Sequence, residues 1–110
     1  MRVRLIKLRT ILEFVENHSD AESGFSKFVS ILSISDWETP LDIVRTFNSA
    51  DILGNSSNRV VFNIGGNKYR VICSYYFGRS KVHLYVNWIG THSDYNELCK
   101  IGDQYDVEKY

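Results

Sequence analysis

Cysteine is nearly absent, with only Cys73 and Cys99 in 110 residues. Two thiols without a CxxC or Cys/His spacing supply no zinc framework, and free thiols in a reducing compartment are the simplest reading. Proline occurs once, at Pro40, and no repeat, linker or low-complexity segment is present. Charged and polar residues interrupt every apolar stretch well short of the ~20 residues a membrane span needs. The opening Met1-Arg2-Val3-Arg4-Leu5-Ile6-Lys7 has charges but no apolar run behind them, so no secretory leader is expected and the cytoplasm is the expected location. GxSxG, the P-loop, HExxH and the dinucleotide glycine fingerprint are all missing. No paired carboxylates for sugar chemistry have an obvious seat. Neither a metal nor another cofactor is expected.

What is present is the composition of an ordinary globular chain, 44% hydrophobic and 24% charged. At this length one domain over 1–110 is expected, with about 101–110 a weakly anchored tail. Net charge is zero, but its distribution is uneven. Residues 1–12 carry Arg2, Arg4, Lys7 and Arg9 and no acid, whereas residues 13–51 carry eight acids against Lys27 and Arg45. From Ile52 to Ser93 there is no Asp or Glu, yet Arg59, Lys68, Arg70, Arg79 and Lys81 fall there. Such a stretch creates a positive potential able to attract phosphate. Strands also disfavour Asp and Glu for reasons unconnected with function.

The first half has helical spacing. Leu8, Ile11, Leu12, Phe14 and Val15 form one stripe, and Phe25, Phe28, Val29 and Leu32 another, with Ser19 or Asp20 available as a cap between them. Thr39 suits an N-cap and Pro40 the first position of a short helix, Leu41 to Phe47. The second half changes period. Arg59–Ile64, Lys68–Phe77 and Lys81–Ile89 read as strands, the first two joined by Gly65-Gly66-Asn67, a turn tolerant of positive φ. Ser93 can cap a last helix, Tyr95 to Lys100. The expected class is α+β: N-terminal helices on one face of a curved antiparallel sheet, room for an opening strand, and a short C-terminal helix.

Alternation puts Lys68, Arg70, Ile72, Ser74 and Tyr76 on one face, and Tyr69, Val71, Cys73, Tyr75 and Phe77 in the core. Lys81, His83, Tyr85, Asn87 and Ile89 then share a face, opposite Val82, Leu84, Val86 and Trp88. Cations interleaved with aromatics on a sheet can hold phosphates and stack bases, although exposed antiparallel faces are commonly polar anyway. His92 lies in Gly90-Thr91-His92-Ser93-Asp94-Tyr95, where an imidazole can take up or release a proton near neutral pH; most loop histidines are simply solvated.

Three segments resemble HigB-type toxins of the RelE superfamily. Val60-Val61-Phe62-Asn63-Ile64-Gly65-Gly66-Asn67-Lys68-Tyr69-Arg70-Val71-Ile72 is similar to their central hairpin. Val86-Asn87-Trp88-Ile89-Gly90-Thr91-His92-Ser93-Asp94-Tyr95 is similar to their closing strand and turn, and Asp36-Trp37 with Pro40, Asp42-Ile43 and Ser49-Ala50-Asp51 adds a third match. The resemblance implies a RelE-like fold and a ribosome-dependent endoribonuclease of a type II toxin-antitoxin system. Such an enzyme cuts mRNA in the ribosomal A site by metal-independent attack of the 2′-OH. A HigA-type helix-turn-helix antitoxin is the implied partner. Arg70 is then the phosphate-stabilising residue, His92 the proton-transfer residue and Tyr95 a stacking or hydrogen-bonding partner. Lys68, Lys81, His83, Tyr85 and Asn87 are the RNA-binding candidates. Two alternatives remain on this reading: a catalytically inactive RelE-like protein that only binds antitoxin, and a plain RNA-binding module.

Overall fold

A computed structural model describes residues 1–110. In chain order it contains β1 (Arg2–Ile6), α1 (Leu8–Asn17), α2 (Glu22–Ile34), α3 (Pro40–Thr46), β2 (Asp51–Ile52), β3 (Arg59–Ile64), β4 (Tyr69–Phe77), β5 (Lys81–Thr91) and α4 (His92–Lys100). Short 3₁₀ turns occupy Ser19–Ala21 and Asp103–Tyr105. The class is α+β, with one five-stranded sheet in the order β1-β5-β4-β3-β2. No helix is long and apolar enough to cross a membrane.

The sheet is mixed rather than wholly antiparallel. The opening strand forms, but β1 lies parallel to β5, with Val3 beside Val82 and Leu5 beside Leu84. Its other edge is held where the Trp37 amide donates to the Met1 carbonyl at 2.8 Å. These partners are distant in sequence, so strand periodicity alone could not supply the direction of pairing.

One face carries the main core. Val60, Phe62 and Ile64 of β3, Tyr69, Val71 and Cys73 of β4, and Val82, Leu84, Val86 and Ile89 of β5 pack against Ile11, Phe25, Phe28, Leu32 and Ile43. The hairpin turn is as the sequence suggests, since Gly65, Gly66 and Asn67 all take positive φ. Helix α2 meets this turn closely: a Cβ on Gly24 would sit 2.9 Å from the Gly65 amide nitrogen and 3.0 Å from Ile64 Cγ2. Gly24→Ala gains up to ~1 kcal/mol in helix propensity but forces backbone apart at a typical overpacking cost of ~1–3 kcal/mol. A net loss of stability is expected, read as a Tm lowered by several degrees in a thermal melt; an unchanged or raised Tm would deny the close approach.

Helices are not confined to one face. On the opposite side Val61, Ile72 and Trp88 form a second cluster, covered by Leu53, Tyr95, Leu98 and Val107. Here the expected alternation fails. Between Ile72 and Cys73 the register slips, so that Ile72 faces Trp88 but Cys73 faces Val86, leaving Asn87 as the extra residue of a β-bulge. The bulge sends Trp88 outward and Ile89 into the main core, exchanging the faces assigned to them from strict period two.

The last residues are tied down rather than loose. Arg59, almost wholly buried, donates from Nη1 to the Val107 carbonyl at 2.7 Å and the Gln104 carbonyl at 3.3 Å. The Lys109 amide donates to the Asn87 carbonyl at 2.8 Å, and Lys7 Nζ donates to the Tyr110 carbonyl. The tail therefore crosses the outer face at the level of the bulge. Both cysteines are free, Cys73 buried and Cys99 half-buried; burial pushes the Cys73 thiol up beyond any reactive range.

Between α1 and α2, neither Ser19 nor Asp20 caps α2 with its side chain. The Asp20 carboxylate instead accepts from Tyr69 Oη at 2.7 Å and pairs with Lys68 Nζ. The hydrogen-bonded Lys68 ammonium, followed by the Tyr69 hydroxyl, holds the Asp20 carboxyl below its ordinary value of 3.8. A depressed carboxylate contributes its stability above the ordinary value and loses it as pH falls through the folded-state value. Wild type is thus expected to lose stability as pH falls below about 4, and Asp20→Asn to flatten that segment of the profile in urea melts. An unaltered slope in the variant would place the acid sensitivity elsewhere.

Candidate active site

Arg70 stands on the outer face of β4, opposite Gly90 of β5 and Asn63 of β3. Its neighbour across the ladder has no side chain for a steric reason. A Cβ on Gly90 would lie 2.5 Å from both Cη2 and Cζ2 of Trp88, so the indole lies over the Gly90 backbone. The Trp88 ring in turn meets Tyr95, with centroids 6.1 Å apart. Arg70 is only 9% exposed, it makes no hydrogen bond or ion pair within the chain, and its Nη1 is sealed from solvent without a partner. Burying a cation unpaired costs free energy, and native folds rarely leave one so.

Helix α4 begins at His92, not near Tyr95. Thr91 is the N-cap: its Oγ1 accepts from the Asp94 amide at 3.1 Å, and Asp94 Oδ2 accepts from the Thr91 amide at 3.4 Å. His92 is half-buried, and its amide still donates to the Lys68 carbonyl at 3.2 Å. The β4–β5 ladder sets Arg70 opposite Gly90 and ends with Tyr69 opposite Thr91, and His92 follows it directly as the first residue of α4.

Tyr95, half-buried on the first turns of α4, has its phenol pushed well above the ordinary tyrosine range. Burial is the main cause, followed by the neighbouring Cys99 thiol and the negative charge of Asp51; the Arg70 cation opposes them. At neutral pH the phenol stays protonated, so it can donate a hydrogen bond but cannot serve as a base. Asp51 and Cys99 thus belong to the neighbourhood of Arg70 and Tyr95, and neither was among the site residues expected from the sequence. Asp51 lies on the two-residue strand β2, which pairs it with Val61 and brings it onto the outer face.

The remaining expected residues scatter. Lys68 precedes β4 and belongs to the turn, so strand alternation does not govern it, and its ammonium pairs with Asp20 away from Arg70. Asn87 is not on an open face: buried in the bulge, it donates from Nδ2 to Ser74 Oγ at 2.6 Å while its carbonyl holds the tail. Lys81, His83 and Tyr85 lie together on the outer face at the other end of β5. No group of three or more His, Cys, Asp or Glu side chains is gathered where it could hold a metal ion.

The HigB toxin family model, described as a RelE-like toxic component of a toxin-antitoxin system, matches residues 21–98. That segment holds α2 through most of α4 and every site residue expected from the sequence, and the chain belongs to this family. Strand β1, helix α1 and the tail from Cys99 lie outside the matched segment. No curated protein matches the chain. Membership implies an antitoxin as partner.

Proposed function

We propose that this chain is a ribosome-dependent mRNA endoribonuclease acting in the cytoplasm, neutralised by a cognate HigA-type helix-turn-helix antitoxin. The observation that carries the reading is Arg70, a cation held nearly buried and unpaired near a protonated Tyr95, at the end of the β4–β5 ladder that His92 follows. A fixed, unneutralised guanidinium is preorganised for charge that develops only in the transition state.

In the proposed reaction the ribose 2′-oxygen attacks the adjacent phosphorus in the A site. The 2′-O–P bond forms as the P–O5′ bond breaks, leaving a 2′,3′-cyclic phosphate and a 5′-hydroxyl. One proton leaves the 2′-OH and one is delivered to O5′; His92 carries one of these transfers. Arg70 offsets the charge on the phosphorane oxygens, and Tyr95 donates a hydrogen bond there. No step needs a metal. Lys81, His83 and Tyr85 contact RNA outside the reacting bond, whereas Lys68 would first have to leave Asp20.

The low exposure of Arg70 also favours a second reading, a RelE-like protein that binds antitoxin and cuts nothing. Induced expression separates the two. The nuclease reading expects growth arrest that coexpressed antitoxin relieves, with new 5′ ends on translated messages only. Harmless expression with intact messages would support the binding-only protein.

A further inference from the structure

The tail divides the outer face of the sheet into two halves. It runs over Arg59 and on to the Asn87 carbonyl, and Arg70 lies on one side of this crossing. On the other side the register lines up Arg4 of β1, His83 of β5 and Tyr76 of β4 in one row across three strands. Tyr85 follows two residues along β5. The His83 ring lies 6.4 Å from the Tyr76 ring and 6.4 Å from the Tyr85 ring, inclined by only 38° and 30°. Tyr76 is 62% exposed and Tyr85 39%, large values for aromatic side chains on a strand.

The cations around these rings are free. Arg4, Arg79 and Lys81 are exposed and form no ion pair or hydrogen bond, and no acidic residue lies on β1, β4 or β5. Four residues of β5, Val86 to Ile89, separate Tyr85 from Gly90, which places this surface roughly 15 Å from the Arg70 position.

We propose that this half of the sheet is a binding platform for single-stranded RNA, separate from the Arg70 site. Three neighbouring rings at shallow inclination accept the flat faces of unpaired bases, and the free cations beside them accept the backbone phosphates. A duplex keeps its base faces stacked inside and cannot use the rings. The platform extends the proposed nuclease function by giving it a grip on RNA away from the cut. Its test needs neither ribosome nor cleavage, so a chain that arrests nothing still tests it.

The measurement is fluorescence anisotropy of a labelled short oligoribonucleotide, single-stranded or annealed to its complement, titrated with the full chain at low salt. The single strand is expected to bind more tightly than the duplex. Tyr76→Ala and Tyr85→Ala should each weaken single-strand binding about tenfold, while Tyr76→Phe, which keeps the ring, stays within about twofold of wild type. Arg4→Gln should weaken binding and reduce its salt dependence. Lys27→Gln, which removes an exposed cation on α2 across the sheet from the platform, should bind the oligonucleotide as wild type does. Equal affinity for duplex and single strand, alanine variants that bind normally, no binding by wild type, or equal loss through Lys27→Gln would each overturn the platform.

Discussion

Arg70→Met is expected to abolish growth arrest and to leave the folded protein as stable as wild type or more so. Methionine fills much of the same volume while removing a buried charge that forms no ion pair within the chain. Replacing unpaired or ionic buried groups by apolar ones of similar size is commonly neutral or stabilising. In the proposed reaction the same change removes the cation that offsets phosphorane charge, a loss that typically lowers rate by ~10²–10³. His92→Gln keeps a polar side chain but ends proton transfer, worth typically ~10²–10⁴. Both variants should still bind antitoxin in a pull-down, because neither residue belongs to the main core. A purely structural Arg70 would give the opposite pattern, with stability falling and toxicity lost only through unfolding. Toxicity that survives both substitutions would move the chemistry to other side chains.

Arg59→Ala is expected to be the most damaging single change outside the apolar core. It removes a buried guanidinium that satisfies two tail carbonyls and packs beneath residues 104–108. Hydrogen bonds involving a charged group contribute about 1.5–3 kcal/mol each, and carbonyls left buried without a donor add a penalty. The exposed Glu108 carboxylate, 4.0 Å away, adds little. A loss of about 3 kcal/mol in urea unfolding follows, together with faster proteolysis after Gly102. A loss under about 1 kcal/mol with an unchanged cleavage pattern would mean the tail is held by something else.

The features legible in the sequence are those decided locally. Gly65-Gly66-Asn67 had to be a turn because three successive positive φ values suit few other residues. Thr39 before Pro40 marked the start of α3, where the Asp42 carboxylate accepts from the Glu38 and Thr39 amides at 2.8 and 3.0 Å. Thr91 with Asp94 three residues later is the same device, and it starts α4 at His92, three residues before the Tyr95 start expected from a Ser93 cap. The parallel β1, the bulge at Asn87 and the anchored tail depend on partners far along the chain. The bulge mattered most, because one inserted residue exchanged Trp88 with Ile89 and turned a presumed RNA contact, Asn87, into a buried strut. Within the site, Arg70 could be read from alternation before the bulge, whereas Asp51 and Cys99 could not, since only β2 pairing and the docking of α4 bring them near Tyr95.

The most direct measurement adds purified chain to ribosomes translating a defined message and maps new 5′ ends by primer extension. The account predicts cuts only at codons occupying the A site, none on the same message without ribosomes, and suppression by cognate antitoxin or by either Arg70→Met or His92→Gln. A message left intact by active ribosomes with wild-type chain, or cut equally without them, would contradict it.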